Sequence, residues 1–243
     1  GPLPRSPRRA RLGPFLTRGP MHIGILQTGQ SPEILRAESG DYPDMFTRLL
    51  RDQGLEFTTY LVEEMIFPEN IHACDGWLIT GSRHGAYEDH PFIPPLEDFI
   101  RAAYAAKVPM VGICFGHQII AQALGGKVEK YAGGWSVGPT EYAFDDQTYT
   151  LNAWHQDQVI RVPEGGEVVG KTDTCENAVI RYGDWGLSYQ PHPEFSPRFF
   201  EGLAEARKAA IPEPLFERVK KVDVPIATDK IAEEIGEFLG RDR

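Results

Sequence analysis

Cysteine is scarce in this sequence. Cys74, Cys114 and Cys175 are three residues in 243, too few and too odd in number for a disulfide framework, and none stands in Cys-x-x-Cys spacing. A reducing cytoplasm is the setting this suggests, and a nucleophilic thiol would survive there. Positive charge is also short: 25 Lys and Arg face 35 Asp and Glu, a formal net charge of −10. Such a surface repels phosphate backbones and anionic bilayers, so neither nucleic acid nor a membrane is an expected partner. No apolar run approaches the roughly 20 residues needed to span a bilayer. There is no P-loop and no glycine-rich nucleotide motif, so no cofactor is expected. No metal-ligand spacing stands out; His84, Glu88, Asp89 and His90 read as a polar loop, and no metal is expected.

What is there is enough apolar residue, 41%, for one sizeable core. Residues 1–20 carry Arg5, Arg8, Arg9, Arg11 and Arg18 among prolines with no apolar h-region, which is not a secretory signal. They read as a leader outside the fold, disordered or appended, and Met21 reads as a natural start. The domain is expected over residues 21–243. His22–Gln27 reads as a first strand. Tyr42, Met45, Phe46, Leu49 and Leu50 recur at helical spacing, in a helix ending near Gly54. Leu55–Leu61 and Gly76–Thr80 read as strands, the latter running into a glycine-rich loop at 81–89. Pro94–Ala106 reads as a helix, and Pro109–Ile113 as a central strand covered on both faces.

This alternation predicts an α/β fold: a doubly wound, mostly parallel sheet flanked by helices. After Gly126 the segments shorten and alternate, as at Val137–Phe144, Tyr149–Trp154 and Gly186–Gln190, so the C-terminal half is expected to hold an antiparallel portion. Two helices are expected to close the chain, the last with Ile231, Ile235, Phe238 and Leu239 as its apolar stripe.

Cys114 is the sharpest chemical feature. An apolar strand ends on it and a helix with Ile119, Ile120, Ala123 and Leu124 on its buried face follows. Gly112 and Gly116 flank it at −2 and +2, the spacing that lets a strand turn sharply into a helix and present a nucleophile. The thiol then sits at a helix N-terminus, where free N–H groups and the helix dipole favour the thiolate. Cys74 and Cys175 lack this context and read as structural, Cys175 in a polar turn.

A thiol nucleophile needs a base, and two histidines offer themselves. His192 and Glu194 stand two apart in a segment where Gln190 and His192 both precede proline, which favours extended backbone and puts the two side chains on one face. A carboxylate there would fix the imidazole tautomer and stabilise the imidazolium. His155 and Asp157 have the same spacing, so spacing leaves the choice open.

These segments resemble the class I (triad-type) glutamine amidotransferases. The resemblance rests on Gly-Ile-Cys-Phe-Gly-His-Gln at 112–118 with Ala-Leu-Gly-Gly at 123–126, on Gln-Pro-His-Pro-Glu-Phe at 190–195, on Trp77–Ser82, and more weakly on 155–159 with 163–165. It spans roughly residues 22–200 in family order. It implies the flavodoxin-like fold of that family and a Cys114–His192–Glu194 triad, and so selects His192 over His155. It implies attack of Cys114 on the side-chain amide of glutamine, release of ammonia, and hydrolysis of a γ-glutamyl thioester. The backbone N–H groups matching the family's oxyanion hole belong to Phe115 and to the Gly81–Ser82 turn. Those matching its glutamine grip belong to Gln118 and to Gly134-Trp135-Ser136. Where many members have Gly-Gly-Pro or Asn-Gly-Pro, this chain has Gly81-Ser82-Arg83. The loop keeps its N–H, and Arg83 adds a cation near the pocket mouth, either as a solvated loop residue or as a partner for a substrate carboxylate.

Three functional readings follow from the resemblance. One is a stand-alone glutamine amidotransferase similar to the amidotransferase domain of GMP synthase, handing ammonia to a synthase partner that residues 200–243 are too short to form. The second is a γ-glutamyl peptidase similar to the cytosolic branch, cutting γ-glutamyl peptides or conjugates. The third is a non-catalytic regulatory relative, against which the intact Cys114, His192 and Glu194 argue.

Overall fold

The computed structural model describes residues 19–220 and 224–243. The expected leader therefore lies outside the described residues except for Gly19 and Pro20, which are exposed. Eleven described strands build the frame. Six, β1 (Met21–Leu26), β2 (Leu55–Tyr60), β3 (Gly76–Ile79), β4 (Met110–Ile113), β5 (Lys127–Lys130) and β6 (Ser136–Phe144), are followed by β7 (Gln147–His155), β8 (Asp157–Arg161), β9 (Glu167–Thr172), β10 (Cys175–Tyr182) and β11 (Gly186–Tyr189). The main sheet runs β2-β1-β3-β4-β11-β10-β9-β6-β7, and β5 pairs with β8 in a separate ribbon. The five strands from β2 to β11 are mutually parallel and the pairings beyond are antiparallel, as expected.

Central strands with no polar face need cover on both sides, and the helices supply it. β3, β4 and β11 are buried at every residue. Side chains alternate across them. Trp77, Ile79 and Met110 pack with Leu96, Ile100, Phe115, Ile119 and Ile120, the inner faces of the helices Ile93–Ala106 (α3) and Phe115–Ala123 (α4). Leu78, Val111 and Ile113 pack on the opposite face with Phe46, Leu50, Ile231, Ile235 and Leu239, from the helix Tyr42–Leu49 (α2) and the last helix. Each such side chain withdrawn from water contributes roughly 1.5–3 kcal/mol. Helix α2 begins where Asp41 and Asp44 form a reciprocal capping box. It ends at Leu49, with turns, not helix, up to Gly54.

Three differences from the sequence reading have local causes. A short helix, Glu33–Ser39 (α1), precedes α2; it buries no residue, so it carries no apolar stripe to find. Among the described residues three α-helices, not two, follow β11: Pro197–Ala206 (α5), Glu213–Val219 (α6) and Thr228–Gly240 (α7). Only Phe216 and Val219 of α6 are buried, too few to show a period. Cys175 is no turn residue; Thr172 Oγ1 accepts from the N–H groups of Thr174 and Cys175, and the chain then enters β10 with Cys175 buried.

Candidate active site

The site assembles at the carboxyl ends of three neighbouring parallel strands. β4 pairs with β3 in the register Gly112↔Ile79 and with β11 in the register Ile113↔Tyr189. The residues that follow each strand, Gly81, Cys114 and Gln190–Glu194, therefore emerge at one edge, where ligands bind in open α/β sheets.

Cys114 adopts φ 55° and ψ −105° between β4 and α4, a strained conformation for a residue with a Cβ. Its N–H donates to Tyr189 O at 2.8 Å, and its carbonyl accepts from Gln118 N at 3.0 Å, so sheet and helix both hold the turn. The flanking glycines are obligatory. A Cβ on Gly112 would stand 2.5 Å from the Gly116 carbonyl carbon and oxygen, and one on Gly116 would stand 2.3 Å from Ile79 O. The thiol is 7% exposed, with Gln190 Nε2 3.6 Å from Sγ and the Trp154 carbonyl at 3.8 Å.

The two candidate bases separate clearly. His192 Nδ1 donates to Glu194 Oε2 at 3.0 Å, with the side chains 4% and 1% exposed. The Phe195 ring stacks on the imidazole at 4.1 Å and 9°, and the His192 N–H donates to Asn152 O at 2.9 Å. Burial alone would depress the pKa of His192; the Glu194 carboxylate, with Cys114 beside it, overcomes this and raises it to about 10. His192 Nε2 makes no hydrogen bond to the described residues. His155 is equally buried, but its Nδ1 meets the backbone oxygen of Asp157 at 3.2 Å, while the Asp157 carboxylate takes the Tyr87 hydroxyl at 2.8 Å. Without a carboxylate partner, burial lowers the His155 pKa to about 3. The spacing is shared; what differs is the acceptor, a carboxylate for His192 and a backbone oxygen for His155.

Gly81 lies against both groups: a Cβ there would be 3.2 Å from His192 Cε1 and 3.7 Å from Cys114 Cβ. The Thr80 hydroxyl donates to the Gly81 carbonyl at 3.1 Å, and the Thr28 hydroxyl is shared between the Thr80 carbonyl at 3.0 Å and the Gly81 carbonyl at 3.2 Å. In a trans peptide the N–H points opposite to the C=O, so this pair orients the Ser82 N–H away from Thr28 and Thr80. Ser82 and Arg83 line a cleft of about 330 Å³ that also contains Cys114, Gln118, Trp135, Trp154, Lys130 and Arg207. Phe115 follows Cys114 as the first, fully buried residue of α4. Gly134 has φ +96° with open space around it, and Ser136 opens β6 opposite His155. The Gln118 amide N–H groups are occupied by Asp157 O at 3.0 Å and Gln190 Oε1 at 3.1 Å, which leaves Oε1 as its free acceptor.

Sequence reasoning missed three participants. Gln190 reaches the sulfur, Thr28 orients the Gly81–Ser82 peptide, and Phe195 clamps His192. Gln190 and Phe195 lie inside a motif already singled out; Thr28 gave no signal, being 53 residues from its partner.

The glutamine amidotransferase class-I family model matches residues 40–204. A glutamine amidotransferase-like protein of Schizosaccharomyces pombe is 30% identical over 90% of this chain and 98% of its own length. Gamma-glutamyl peptidase 2 of Arabidopsis thaliana is 28% identical over 71% of this chain and 75% of its own. One of the subunits of the glutamine-hydrolysing GMP synthase of Archaeoglobus fulgidus is 30% identical over 70% of this chain and 94% of its own. The crystal structure of a glutamine amidotransferase from Methylobacillus flagellatus superposes with a TM-score of 0.71, covering 91% of this chain and 92% of that one; at 20% identity it speaks for the fold. The family model alone covers well over half of the chain, and the chain belongs to the class I glutamine amidotransferases.

Proposed function

We propose that the protein hydrolyses a γ-glutamyl amide bond with Cys114 as nucleophile, His192 as general base and then acid, and Glu194 as the group that orients and charges His192. The observation that carries this reading is the strained Cys114 at the head of α4, beside a buried His192–Glu194 pair. The Cys114 sulfur attacks the γ-carbonyl carbon. The N–H groups of Phe115 and Ser82 hold the oxyanion, donors of a kind worth several kcal/mol in the transition state. The C–N bond breaks, and the leaving amine takes its proton from His192. Water, deprotonated by His192, then cleaves the γ-glutamyl thioester to release glutamate and restore the thiol. Gln118 Oε1 accepts from the substrate ammonium, and the backbone at Gly134, Trp135 and Ser136 holds its carboxylate. Three free thiols suit a reducing compartment such as the cytoplasm.

Glutamine is the smallest substrate of this chemistry, and ammonia would then pass to a synthase partner. The cleft supports a second reading. It is open, and Arg83, Lys130 and Arg207 line it with Trp135, Trp154 and Tyr87. That wall accommodates an anionic leaving amine larger than ammonia, as a γ-glutamyl peptidase requires. The test is glutamate release from L-glutamine and from a panel of γ-glutamyl dipeptides, by wild type and Cys114→Ala. Cys114→Ala is expected to release none from any of them, and substantial turnover by that variant would sink the nucleophile assignment. Faster release from the dipeptides selects the peptidase reading; release from glutamine alone selects the amidotransferase one.

A further inference from the structure

The loop after β3 gathers a second set of reactive side chains on the wall of the same cleft. One donor atom from each of His84, Glu88 and His90 lies within 4.8 Å of the other two. The two imidazole centroids are 4.0 Å apart with the planes at 48°. The face of Phe92 stacks on His90 at 5.9 Å and touches His84 at 5.7 Å, closing the cluster from behind. Asp89, which the sequence places with them, is not part of the cluster, and Glu63 from the turn Val62–Glu64 takes its place alongside.

The hydrogen bonding is that of a site arranged around a cation. His84 Nε2 donates to Glu63 Oε2 at 2.7 Å, which leaves the lone pair of the neutral ring on Nδ1. Neither Nδ1 of the two histidines has a hydrogen bond to the described residues. Glu88 Oε1 accepts from the Gly85 N–H at 2.5 Å and from His90 Nε2 at 3.2 Å.

We propose that His84, Glu88 and His90 form a zinc site, with Glu63 as the outer carboxylate that orients His84. Two imidazoles and one carboxylate are a donor set Zn²⁺ takes with a fourth position left to water, and a carboxylate behind a ligating histidine is the usual support. The site is coupled to catalysis by position. The His84 N–H donates to Ser82 Oγ at 3.1 Å, so the ligand-bearing loop is tied to a residue that lines the cleft. His84 and Glu88 also line that cleft with Cys114. Bound zinc fixes this wall and slows amide exchange across residues 82–90.

The obvious competitor for zinc is the Cys114 thiol, so the experiment is run on full-length Cys114→Ser and is independent of the catalytic reading. Zn²⁺ is titrated against a chromogenic chelator at pH 7.5, and the metal is examined by X-ray absorption. One zinc per chain is expected, with N/O neighbours at about 2.0–2.1 Å. His84→Asn and His90→Asn are expected to lower affinity at least 100-fold, and Glu63→Gln about 10-fold. Affinity falls at pH 5.5, because protons compete with the metal for its ligands. Each variant is checked for a cooperative thermal melt, and Glu88→Gln, at an exposed position, repeats the test if a histidine variant fails to fold. Loss of stoichiometric binding in Cys114→Ser, a sulfur neighbour at about 2.3 Å, or wild-type affinity in the variants would overturn the proposal.

Discussion

Replacing Glu194 with glutamine removes one charge from a pair almost wholly shielded from solvent, and His155 shows what should follow. His155 and His192 are both 4% exposed; without a carboxylate partner, burial takes the former down to about pKa 3, while Glu194 and Cys114 lift the latter to about 10. In Glu194→Gln the hydrogen bond to Nδ1 survives but the counter-charge does not. The His192 pKa is then expected below the ordinary value of about 6.5. The linkage has a definite sign. A pKa raised on folding adds stability that is complete below about pH 6.5 and is lost as pH rises through about 10. Glu194→Gln should therefore destabilise the fold by about 3 kcal/mol at pH 6, within the range for breaking a buried pair, and by well under half of that at pH 10.5. Denaturant unfolding at both pH values measures this. An NMR titration of His192 follows the midpoint directly. At pH 7 hydrolysis of a γ-glutamyl substrate should fall about 10²–10⁴-fold, the share general acid–base catalysis supplies. A destabilisation that does not change with pH, or an unmoved His192 midpoint, would refute the electrostatic account.

Other predictions probe the scaffold. Gly116→Ala forces a methyl against Ile79 O at 2.3 Å, with Ile79 Cβ at 2.9 Å, and should destabilise by about 3 kcal/mol or more in a urea titration. Thr28→Val removes one of two hydroxyls that hold the Gly81 carbonyl; kcat should fall roughly ten-fold with KM little changed, because the donor it orients acts on the oxyanion. Arg83→Ala should raise KM for γ-glutamyl dipeptides more than for glutamine, and equal effects would leave Arg83 as a solvated loop residue.

Strands were legible whether fully buried or not: β2, read as Leu55–Leu61, runs Leu55–Tyr60 with no residue fully buried. β3, β4 and β11 are buried at every position and read as strands within a residue of their ends. The elbow was legible because glycine at two fixed positions has a steric cause. The His192–Glu194 pair was legible because proline restricts the backbone between them. The equal spacing of His155 and Asp157 left the choice of base open because spacing does not fix the acceptor: His155 Nδ1 meets the Asp157 backbone oxygen, while the Asp157 carboxylate takes the Tyr87 hydroxyl. Contacts between distant segments left no local trace: Thr28 with Gly81, Gln190 with Gln118, and Glu63 with His84. The exposed helix α1 left none either, since it buries nothing.

The division between legible and illegible parts bears on how one fold serves relatives with different names. The reacting groups leave the ends of β3, β4 and β11, whose register is fixed by buried side chains on both faces. A slip of one residue in any of these strands would turn each side chain to the opposite face, so the chemistry is as hard to change as the core. The rest of the cleft has other origins. Arg83 belongs to the loop after β3, Lys130 to the β5–β8 ribbon, Trp135 to the turn before β6, and Arg207 to the end of α5. Arg83 and Lys130 are exposed and Arg207 is half-buried, so each is open to substitution at little cost to the fold. The Cys114, His192 and Glu194 end of the cleft is thus tied to folding, while Arg83, Lys130 and Arg207 can be exchanged at little cost to the fold. On the proposed reaction, a change from ammonia to an anionic amine as leaving group calls for substitutions in that second set.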